Sequence, residues 1–485
     1  MKFTFPRDGK ALASADHVLV VAAVSCFARR KRAAVFDKLL DKDTAALAIR
    51  LGDGAGTGLL GSTATSLIGK RRLTIGALRD EISRHNCDAR AESIRKVTAA
   101  AALGNTKNAV LLVLDDPSHL TAAVNAIGRA LPTFNRKSKK SGGSVAITAA
   151  TRQGKSIAIG SDVQDLVANA RAAAHLVDTP PTELDPAALA RAAKAMLRGI
   201  AGVKVQEITG DALLKKGLGG IHAVGRTARS APRLLIATAG ANRKGRHIAL
   251  VGKGVTYDTG GLNLKIQGAM STMKGDMGGA AAVLGAFATL ARHQPPCRIS
   301  LVMCLAENAI GPGAYKPDDV ITMHSGKTVE INNTDAEGRL LLADGCSYAA
   351  RVLKADTIVD AATLTGAQGI ATGNLHAAIV SNDEGLEQAL VAAGRASGDL
   401  CWPLPFAPEF FRSEFSSPIA DMRNSVKNRT NAQSSCAAEF VHWHLDGTGV
   451  RWGHIDLAFP AMRGDRGTGF GVALLVDAVH RLGRR

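Results

Sequence analysis

The chain has 485 residues, of which 46% are hydrophobic, 21% charged and 4% aromatic, and its formal net charge is +18. This length suits two domains, and the composition is that of a packed α/β protein, which excludes a disordered or fibrous chain. No run of 18 apolar residues occurs, so we predict no membrane-spanning helix and no membrane partner.

Seven cysteines are scattered along the chain, and none of them forms a C-x-x-C pair. An odd number of cysteines without paired spacing argues against a disulfide framework and against a thiolate zinc site. The pattern fits a reducing compartment, and we expect the protein to be cytoplasmic.

The first part of the chain has the pattern of a small α/β domain. The apolar run 17–27 predicts a buried strand instead of a signal peptide, because acidic as well as basic residues precede it and the basic run 29–32 follows it directly. Residues 93–103 predict a helix and residues 110–114 another strand. The basic, Gly/Ser-rich stretch 133–144 is typical of an exposed loop. We assign 1–165 to this domain, with a regulatory or oligomerisation role as one hypothesis.

The positive charge is concentrated in this first part, where residues 1–165 carry +12 of the total +18. One interpretation is a solvated basic surface that keeps the protein soluble. The other is a surface that binds polyanions, because clustered Lys and Arg release counterions from phosphates. Nucleic acid therefore stays a candidate partner.

Residues 162–177 are rich in alanine and predict a helix, which the sequence Thr179-Pro180-Pro181 ends. We therefore predict a linker helix and turn at 166–185 and a larger domain at 186–485.

The larger domain alternates between strand-like and helical patterns, which is typical of a mostly parallel sheet flanked by helices. The strand-like runs are 233–237, 247–251, 298–305 and 357–362, and the helical patterns are 278–292 and 337–353. The predicted fold class is thus α/β, with a smaller N-terminal α/β domain and a larger C-terminal catalytic domain.

Charged residues cluster in two segments that each follow a strand-like run and lead into a helix. They are Lys253, Asp258, Lys265 and Asp276 in the segment 251–276, and Asp335, Glu337 and Arg339 in the segment 333–340. Lys253 and Asp258 are expected in a glycine-rich loop just past the strand-like run 247–251. A single aspartate such as Asp276 is equally expected to cap a helix, because anions suit helix N-termini.

Four carboxylates that converge at the strand ends of one sheet would repel one another unless cations neutralised them. Carboxylate oxygens suit Zn²⁺, Mn²⁺ or Mg²⁺, and paired ions about 3.5–4 Å apart recur in hydrolases, where they activate water. Lys265 and Arg339 would add positive charge where a tetrahedral oxyanion develops. The two segments together predict a metal-dependent hydrolase.

Three motifs carry a resemblance to a known family: V-G-K-G-x-T-Y-D-T-G-G at 251–261, M-K-G-D-M-G-G at 273–279 and N-T-D-A-E-G-R-L at 333–340. In order and spacing they resemble the leucyl aminopeptidase family, also called cytosol aminopeptidases. The match runs from about Ala168 to the end of the chain. Residues 304–319 and 420–436 resemble the probable-aminopeptidase-like branch, and the N-terminal third is a weaker match.

The resemblance implies an aminopeptidase that hydrolyses the N-terminal peptide bond of short peptides with a water activated by two metal ions, Mn²⁺ or Zn²⁺, in each subunit. It implies that the metal ligands are Lys253, Asp258, Asp276, Asp335 and Glu337. Lys265 would polarise the scissile carbonyl, and Arg339 would hold a bicarbonate that acts as general base. The family also implies a homohexamer.

By the same resemblance, the pocket for the first side chain is lined by Met273, Thr363, Leu364, Gly366 and Ala458. This chain has Phe459 where the family often has glycine, and Phe459 would either narrow that pocket or point into the core. Two alternatives remain open: a DNA-binding protein on the same scaffold, and a peptidase specific for dipeptides or cysteinyl conjugates.

Overall fold

The computed structural model describes residues 1–28, 32–56, 58–138, 142–243 and 245–483, which form two compact units. The first unit consists of Met1–Arg171 with Arg395–Gly398, and the second of Ala172–Gly394 with Asp399–Arg485. Within the described ranges, no helix has both the length and the apolar character needed to cross a bilayer. In the predicted loop 133–144, residues 133–138 form neither helix nor strand, and 139–141 lie outside the described ranges.

The first unit is a sheet covered by helices. Its strands are β1 (Lys2–Thr4), β2 (His17–Ala23), β3 (Ser62–Ile68), β4 (Arg71–Leu78), β5 (Lys107–Leu114), β6 (Ser144–Thr151) and β7 (Ser156–Ile157). Its helices are α1 (Lys10–Ser14), α2 (Val35–Leu39), α3 (Lys42–Asp53), α4 (Ala91–Ala100), α5 (Leu120–Ala130) and α6 (Ser161–Asp178), which continues into the second unit.

The strands of this sheet follow the order β1-β6-β5-β2-β4-β3, and β7 pairs with β6. The four central strands run parallel, whereas β3 and β7 are antiparallel to their neighbours. The apolar run predicted as one buried strand forms β2 as far as Ala23, and its last residues, Val24–Phe27, form a 3-10 turn. Apolar side chains of β2, β4 and β5 make the core, among them Val20, Leu73 and Leu111.

The second unit contains the larger sheet and several short strands outside it. The strands of the whole unit are β8 (Lys204–Thr209), β9 (Arg233–Ala239), β10 (His247–Asp258), β11 (Arg298–Asn308), β12 (Val320–Thr322), β13 (Thr328–Glu330), β14 (Thr357–Ala362), β15 (Ala377–Ser381), β16 (Cys401–Pro403), β17 (Met422–Arg423), β18 (Arg451–Asp456), β19 (Met462–Arg463) and β20 (Arg466–Gly467).

Helices cover this sheet and connect its strands. They are α7 (Pro186–Leu197), α8 (Ala212–Lys215), α9 (Gly219–Gly225), α10 (Gly278–Arg292), α11 (Gly338–Arg351), α12 (Ala367–Thr372), α13 (Glu384–Ser397), α14 (Pro408–Phe411), α15 (Gln433–Trp443) and α16 (Val472–Gly483). The helical patterns predicted at 278–292 and 337–353 correspond to α10 and α11.

Eight strands of this unit form one sheet, in the order β16-β15-β18-β14-β10-β11-β9-β8. The central strands β18, β14, β10 and β11 are parallel, and β9 and β8 are added antiparallel at one edge. The carboxyl ends of the four parallel strands therefore lie side by side, which is where open α/β sheets place their sites. The predicted α/β fold class with a mostly parallel sheet is confirmed.

The predicted loop that begins after residue 251 is wrong, because β10 continues to Asp258. The backbone stays paired with β11 along this stretch, with Lys253 opposite Cys304 and Asp258 opposite Asn308. Both charged residues thus lie on a strand, which fixes their side chains more firmly than a loop would.

Gly252 does not form a turn either. A Cβ atom at this position would lie 2.6 Å from the Cα of Ala280, so the absence of a side chain lets α10 pack closely on the sheet. The chain turns sharply only beyond Asp258, where Gly260 has a φ of +86° that a residue with a side chain rarely adopts.

Candidate functional site

A cavity of about 630 Å³ opens at the carboxyl ends of the parallel strands of the second unit, and all seven charged residues predicted from the two segments line it. Lys253 and Asp258 come from β10, Asp276 precedes α10, and Glu337 immediately precedes α11. The fold therefore brings together two segments that lie far apart in the sequence.

Lys253 lies at the buried end of this cavity. Its Nζ is 2.8 Å from Oδ1 of Asp276 and 2.9 Å from Oε1 of Glu337, and it donates a hydrogen bond of 2.9 Å to the carbonyl oxygen of Thr363. The Thr363 hydroxyl donates a further hydrogen bond of 2.9 Å to Asp276. One ammonium thus balances two buried carboxylates.

Lys265 forms the second ion-pair centre. Its Nζ is 2.8 Å from Oδ2 of Asp258 and 2.5 Å from Oδ1 of Asp335. The other Asp258 oxygen accepts hydrogen bonds from the Gly260 amide at 2.9 Å and the Asn308 side chain at 2.8 Å. Asp258 is therefore held by the loop that follows β10 and by the last residue of β11.

Burial shapes the protonation of this cluster. Burial raises the pKa of Asp276, Glu337 and Asp335, because a carboxylate loses its hydration and neighbouring carboxylates add repulsion. Burial also opposes the charged form of Lys253, but the carboxylates of Asp276, Glu337 and Asp258 outweigh it and raise the Lys253 pKa. Without another cation, Lys253 is thus charged.

The donor set fits divalent metal ions. Asp258, Asp335 and Glu337 each offer a carboxylate oxygen, and these atoms lie within 4.8 Å of one another. Within the described ranges, Oδ2 of Asp276 and Oε2 of Glu337 are buried and have no hydrogen-bond partner. Buried carboxylate oxygens seldom lack a partner, and hard oxygen ligands of this kind suit divalent ions.

Arg339 lies beside the carboxylates and is almost completely buried. One of its terminal nitrogens donates to the carbonyl oxygen of Asn424 at 3.0 Å, whereas its Nε has no partner among the described residues. Burial lowers the pKa of Arg339 to about 10, although Glu337 counteracts the effect. Its guanidinium therefore keeps donors available for an anion in the cavity.

Amide side chains that sequence analysis missed hold the segment 332–336. Asn308 donates to the carbonyl oxygen of Thr334 at 3.1 Å, and the Asn263 side chain accepts from the Thr334 amide at 2.7 Å. Asn424 donates to the carbonyl oxygen of Asn333 at 2.7 Å. The only signal for these residues was their place after glycine-rich or strand-like runs, which many structural asparagines share.

The five residues predicted to form the pocket for the first side chain, Met273, Thr363, Leu364, Gly366 and Ala458, all line the cavity. Phe459 also lines it, with its side chain 41% exposed, so it does not point into the core. Its backbone amide donates to Oε1 of Gln368 at 2.9 Å, and its ring lies against Gly369.

Asp456 is a further residue that sequence analysis missed. At the end of β18 it is buried, and its carboxylate accepts hydrogen bonds from the Leu364 amide at 3.1 Å, the Thr365 hydroxyl at 2.7 Å and the Ala458 amide at 3.3 Å. It therefore connects the segment 363–366 with Ala458, and these two parts of the chain contain all the predicted pocket residues except Met273.

Comparison with protein families gives two matches. Residues 171–476 match the catalytic domain of the cytosol aminopeptidase family, and residues 55–140 match the M17 aminopeptidase N-terminal domain 2. The second match falls in the basic N-terminal part, for which the motifs gave little information.

Individual relatives agree with these families. The probable aminopeptidase NPEPL1 of Mus musculus is 43% identical over 416 residues, which cover 83% of this chain and 78% of the relative. The structure of the leucyl aminopeptidase from Leishmania major in complex with actinonin has a TM-score of 0.91 and 35% identity, and covers 99% of this chain and 94% of its own. The structure of the bottromycin maturation enzyme BotP in complex with Mn has a TM-score of 0.77 and 28% identity. The match covers 97% of this chain and 100% of the BotP chain.

Proposed function

The chain belongs to the cytosol aminopeptidase family and is a hydrolase of the aminopeptidase type, and from this premise we propose that it removes N-terminal residues from short peptides with two divalent metal ions. The observation that carries the proposal is the cluster of Asp258, Asp335 and Glu337, whose carboxylate oxygens lie within 4.8 Å of one another. The DNA-binding alternative and the cysteinyl-conjugate alternative gain no support from the relatives.

The proposed ligands divide into two overlapping sets. Lys253, Asp258, Asp276 and Glu337 would hold one ion, and Asp258, Asp335 and Glu337 the other. When bound, such a pair supplies an acidified water and positive charge for a developing oxyanion. Mn²⁺ is one candidate, because BotP, a relative in fold and sequence, binds Mn, and Zn²⁺ is the other.

Lys253 would have to lose its proton to act as a ligand. Because the surrounding carboxylates raise its pKa, binding of the ion and release of that proton would occur together. A neutral amine still carries two N–H hydrogens, so Lys253 would keep its hydrogen bond to the Thr363 carbonyl oxygen while its lone pair binds the metal ion.

Lys265 and Arg339 would act on the substrate instead. Lys265 carries its ammonium at the edge of the cluster and would donate to the oxygen of the scissile carbonyl, which gains negative charge during attack. Arg339, with donors not used by the protein, would hold a bicarbonate that accepts a proton during the reaction. Both cations stay charged at neutral pH.

The pocket for the first side chain would be formed by Met273, Thr363, Leu364, Gly366 and Ala458. Phe459 adds a partly exposed ring to the wall of the same cavity. We infer that this ring reduces the room for the first side chain and favours small or flexible aliphatic residues.

We further propose that the protein works in the cytoplasm as a homohexamer. The seven cysteines are free thiols, which fits a reducing compartment, and the hexamer follows from the family resemblance. Light scattering should then give a mass about six times that of the 50.3 kDa chain; a monomer mass would contradict it.

The substitution Glu337→Gln tests the proposed metal site. It keeps the size of the side chain but removes a ligand charge, so the protein should lose bound metal and the hydrolysis of Leu-p-nitroanilide together. Metal content is measured by mass spectrometry after loading with Mn²⁺ or Zn²⁺, and activity is measured on the same samples with and without a chelator.

Glu384→Gln is the matched control, because Glu384 is exposed on α13 and does not line the cavity. It should keep both metal ions and full activity. A Glu337→Gln protein with two bound ions and undiminished turnover would refute the ligand assignment.

A further inference from the structure

Charge is distributed unevenly in the cavity. Every carboxylate among the described lining residues belongs to the cluster of Asp258, Asp276, Asp335 and Glu337. Beyond that cluster and the two lysines paired with it, the cavity is lined by Arg339, Arg429 and Arg463, of which Arg429 belongs to the wall 424–433 and lies near the buried Arg339. The cavity therefore has an acidic end, and its other charged lining residues are arginines.

The wall 424–433 is attached to the segment 332–336, on the side of the cluster where Asp335 lies. The Asn424 side chain accepts from the Asn332 amide at 2.9 Å, and the Asn332 side chain accepts from the Ser425 amide at 2.9 Å. Met462 and Phe459 lie elsewhere, against Gly275 and Gly369. Arg429 is not among the five residues predicted to form the pocket for the first side chain, although it lines the same cavity.

The backbone around Arg429 is anchored on both sides. The Asn428 side chain accepts hydrogen bonds from the Thr430 amide at 3.0 Å and the Thr430 hydroxyl at 2.7 Å. Glu414 accepts from the Asn428 amide at 3.0 Å and from the Asn431 side chain at 2.8 Å. These contacts fix the position from which the Arg429 side chain extends into the cavity.

Arg429 itself has no counter-ion. Within the described ranges its guanidinium takes part in no ion pair and no hydrogen bond, whereas other arginines of this region, such as Arg412 and Arg423, are paired with carboxylates. A guanidinium offers five donors in a planar fork that matches a carboxylate. The Arg429 side chain is exposed and lines the cavity, so a carboxylate bound there can reach this fork and pair with it.

The proposed substrate supplies such an anion. If the free amino group of a peptide lies at the metal site, the residue after the scissile bond lies on the leaving side, and its Cα is about 3.8 Å from that of the first residue. A dipeptide carries its α-carboxylate there, and a longer peptide can carry an acidic side chain there. A cavity of about 630 Å³ is in the range of small-molecule sites.

We propose that Arg429 binds a substrate carboxylate on the leaving side of the scissile bond, and so gives the enzyme a preference for short peptides with negative charge at the second residue. The proposal rests on the proposed aminopeptidase function and adds a specificity-determining residue to it. The carboxylate can come from the C-terminus of a dipeptide or from the side chain of Asp or Glu.

Two pairs of substrates test this preference and separate the two sources. The ratio of kcat/KM for Leu-Gly to that for Leu-Gly amide measures recognition of a C-terminal carboxylate. The ratio for Leu-Asp amide to Leu-Asn amide measures recognition of an acidic side chain. Arg429→Gln should lower at least one ratio about fivefold, as expected for a partly exposed ion pair, and the ratio that falls identifies the source.

Lys427→Gln is the matched control. Lys427 is an exposed cation on the same loop that does not line the cavity, so its substitution removes the same charge without touching the proposed contact. It should leave both ratios within twofold of the wild type. Equal losses in the two variants would mean a general field effect and would overturn the proposal, as would unchanged ratios in Arg429→Gln.

Failure of the proposed function gives a different result. In that case the metal-loaded wild type hydrolyses none of the four peptides. The four peptides are then titrated into the same proteins in a calorimeter. The ratio of Kd for Leu-Gly to that for Leu-Gly amide, and the ratio of Kd for Leu-Asp amide to that for Leu-Asn amide, replace the two ratios of kcat/KM. Identical Kd ratios in the wild type and Arg429→Gln would overturn the role of Arg429, and a fivefold difference in either pair would support it.

Discussion

The two lysines of the cavity have the same chemistry but different surroundings, and this difference supports the different roles proposed for them. The Lys253 side chain is only 3% exposed and lies between Asp276 and Glu337, whereas that of Lys265 is 16% exposed and contacts Asp258 and Asp335 at the open side. A buried amine between two carboxylates suits a ligand, and a more exposed ammonium suits a group that meets the substrate.

Lys265→Ala should therefore separate metal binding from catalysis. We expect the variant to keep both ions and to lose about 10²–10³-fold in kcat for Leu-p-nitroanilide, because one donor to the oxyanion is removed. Metal analysis and steady-state kinetics on one preparation check this. Retained turnover would show that Lys265 does not stabilise the transition state, and loss of metal would show that it belongs to the metal site.

At the scale of secondary-structure elements, the apolar pattern of the sequence predicted the bounds of strands and helices that are marked by a change in local composition. The alternation of apolar runs and helical patterns located β14 and α10 to the residue. A strand buried on both faces gives a short apolar run, and α10, which is buried from Gly278 to Ala291, gives a longer one. It ended β10 too early, since glycine is ambiguous: Gly252 serves close helix packing, and Gly260 serves a turn.

Site residues could be predicted where they lie in a recognisable sequence motif. They could not be predicted where they reach the site only through contacts between distant parts of the chain. The seven charged residues lie in two segments of the chain, 251–276 and 333–340. Asp456, Asn308 and Asn424 come from other strands or loops and contact the site only after the sheet has formed. A polar residue at a strand end has no local signature that distinguishes it from a surface residue.

Asp456 provides a test of how strand β18 supports the predicted pocket. Asp456→Asn removes the negative charge that strengthens the hydrogen bonds donated by Leu364, Thr365 and Ala458, because charge-assisted hydrogen bonds are stronger than neutral ones. We expect the free energy of unfolding to fall by about 2 kcal/mol and KM for Leu-p-nitroanilide to rise several-fold with a smaller change in kcat. Urea denaturation and initial-rate kinetics measure the two effects.

Asp211→Asn serves as the comparison, because the Asp211 side chain is 93% exposed and does not line the cavity. An Asp456→Asn protein that is destabilised but has wild-type KM would show that Asp456 supports the fold alone. Equal changes in KM and kcat in both variants would argue against any specific link to the pocket.

At the scale of the whole molecule, each unit contains a buried histidine that is neutral in the folded state. Burial lowers the pKa of His444 in the second unit to about 3 and that of His17 in the first unit to about 4, and Lys327 and Arg72 respectively add to the effect. His444 is bonded to the Ser325 hydroxyl at 2.7 Å, and His17 to the Thr74 hydroxyl at 2.9 Å.

These histidines should make both units sensitive to acid. In the unfolded chain each imidazole takes up a proton near pH 6.5, whereas the folded protein resists protonation down to its lowered pKa, so stability is lost as the pH falls from about 6.5 toward 4 or 3. At pH 5 each histidine should lower the free energy of unfolding by about 2 kcal/mol relative to pH 7.5.

His444→Gln and His17→Gln should each lose about 2 kcal/mol less of the free energy of unfolding than the wild type when the pH falls from 7.5 to 5, as measured by urea unfolding at both pH values. His119→Gln, at a partly exposed position, is the control for loss of an imidazole; if all three variants behave alike, the carboxylates alone set the acid response.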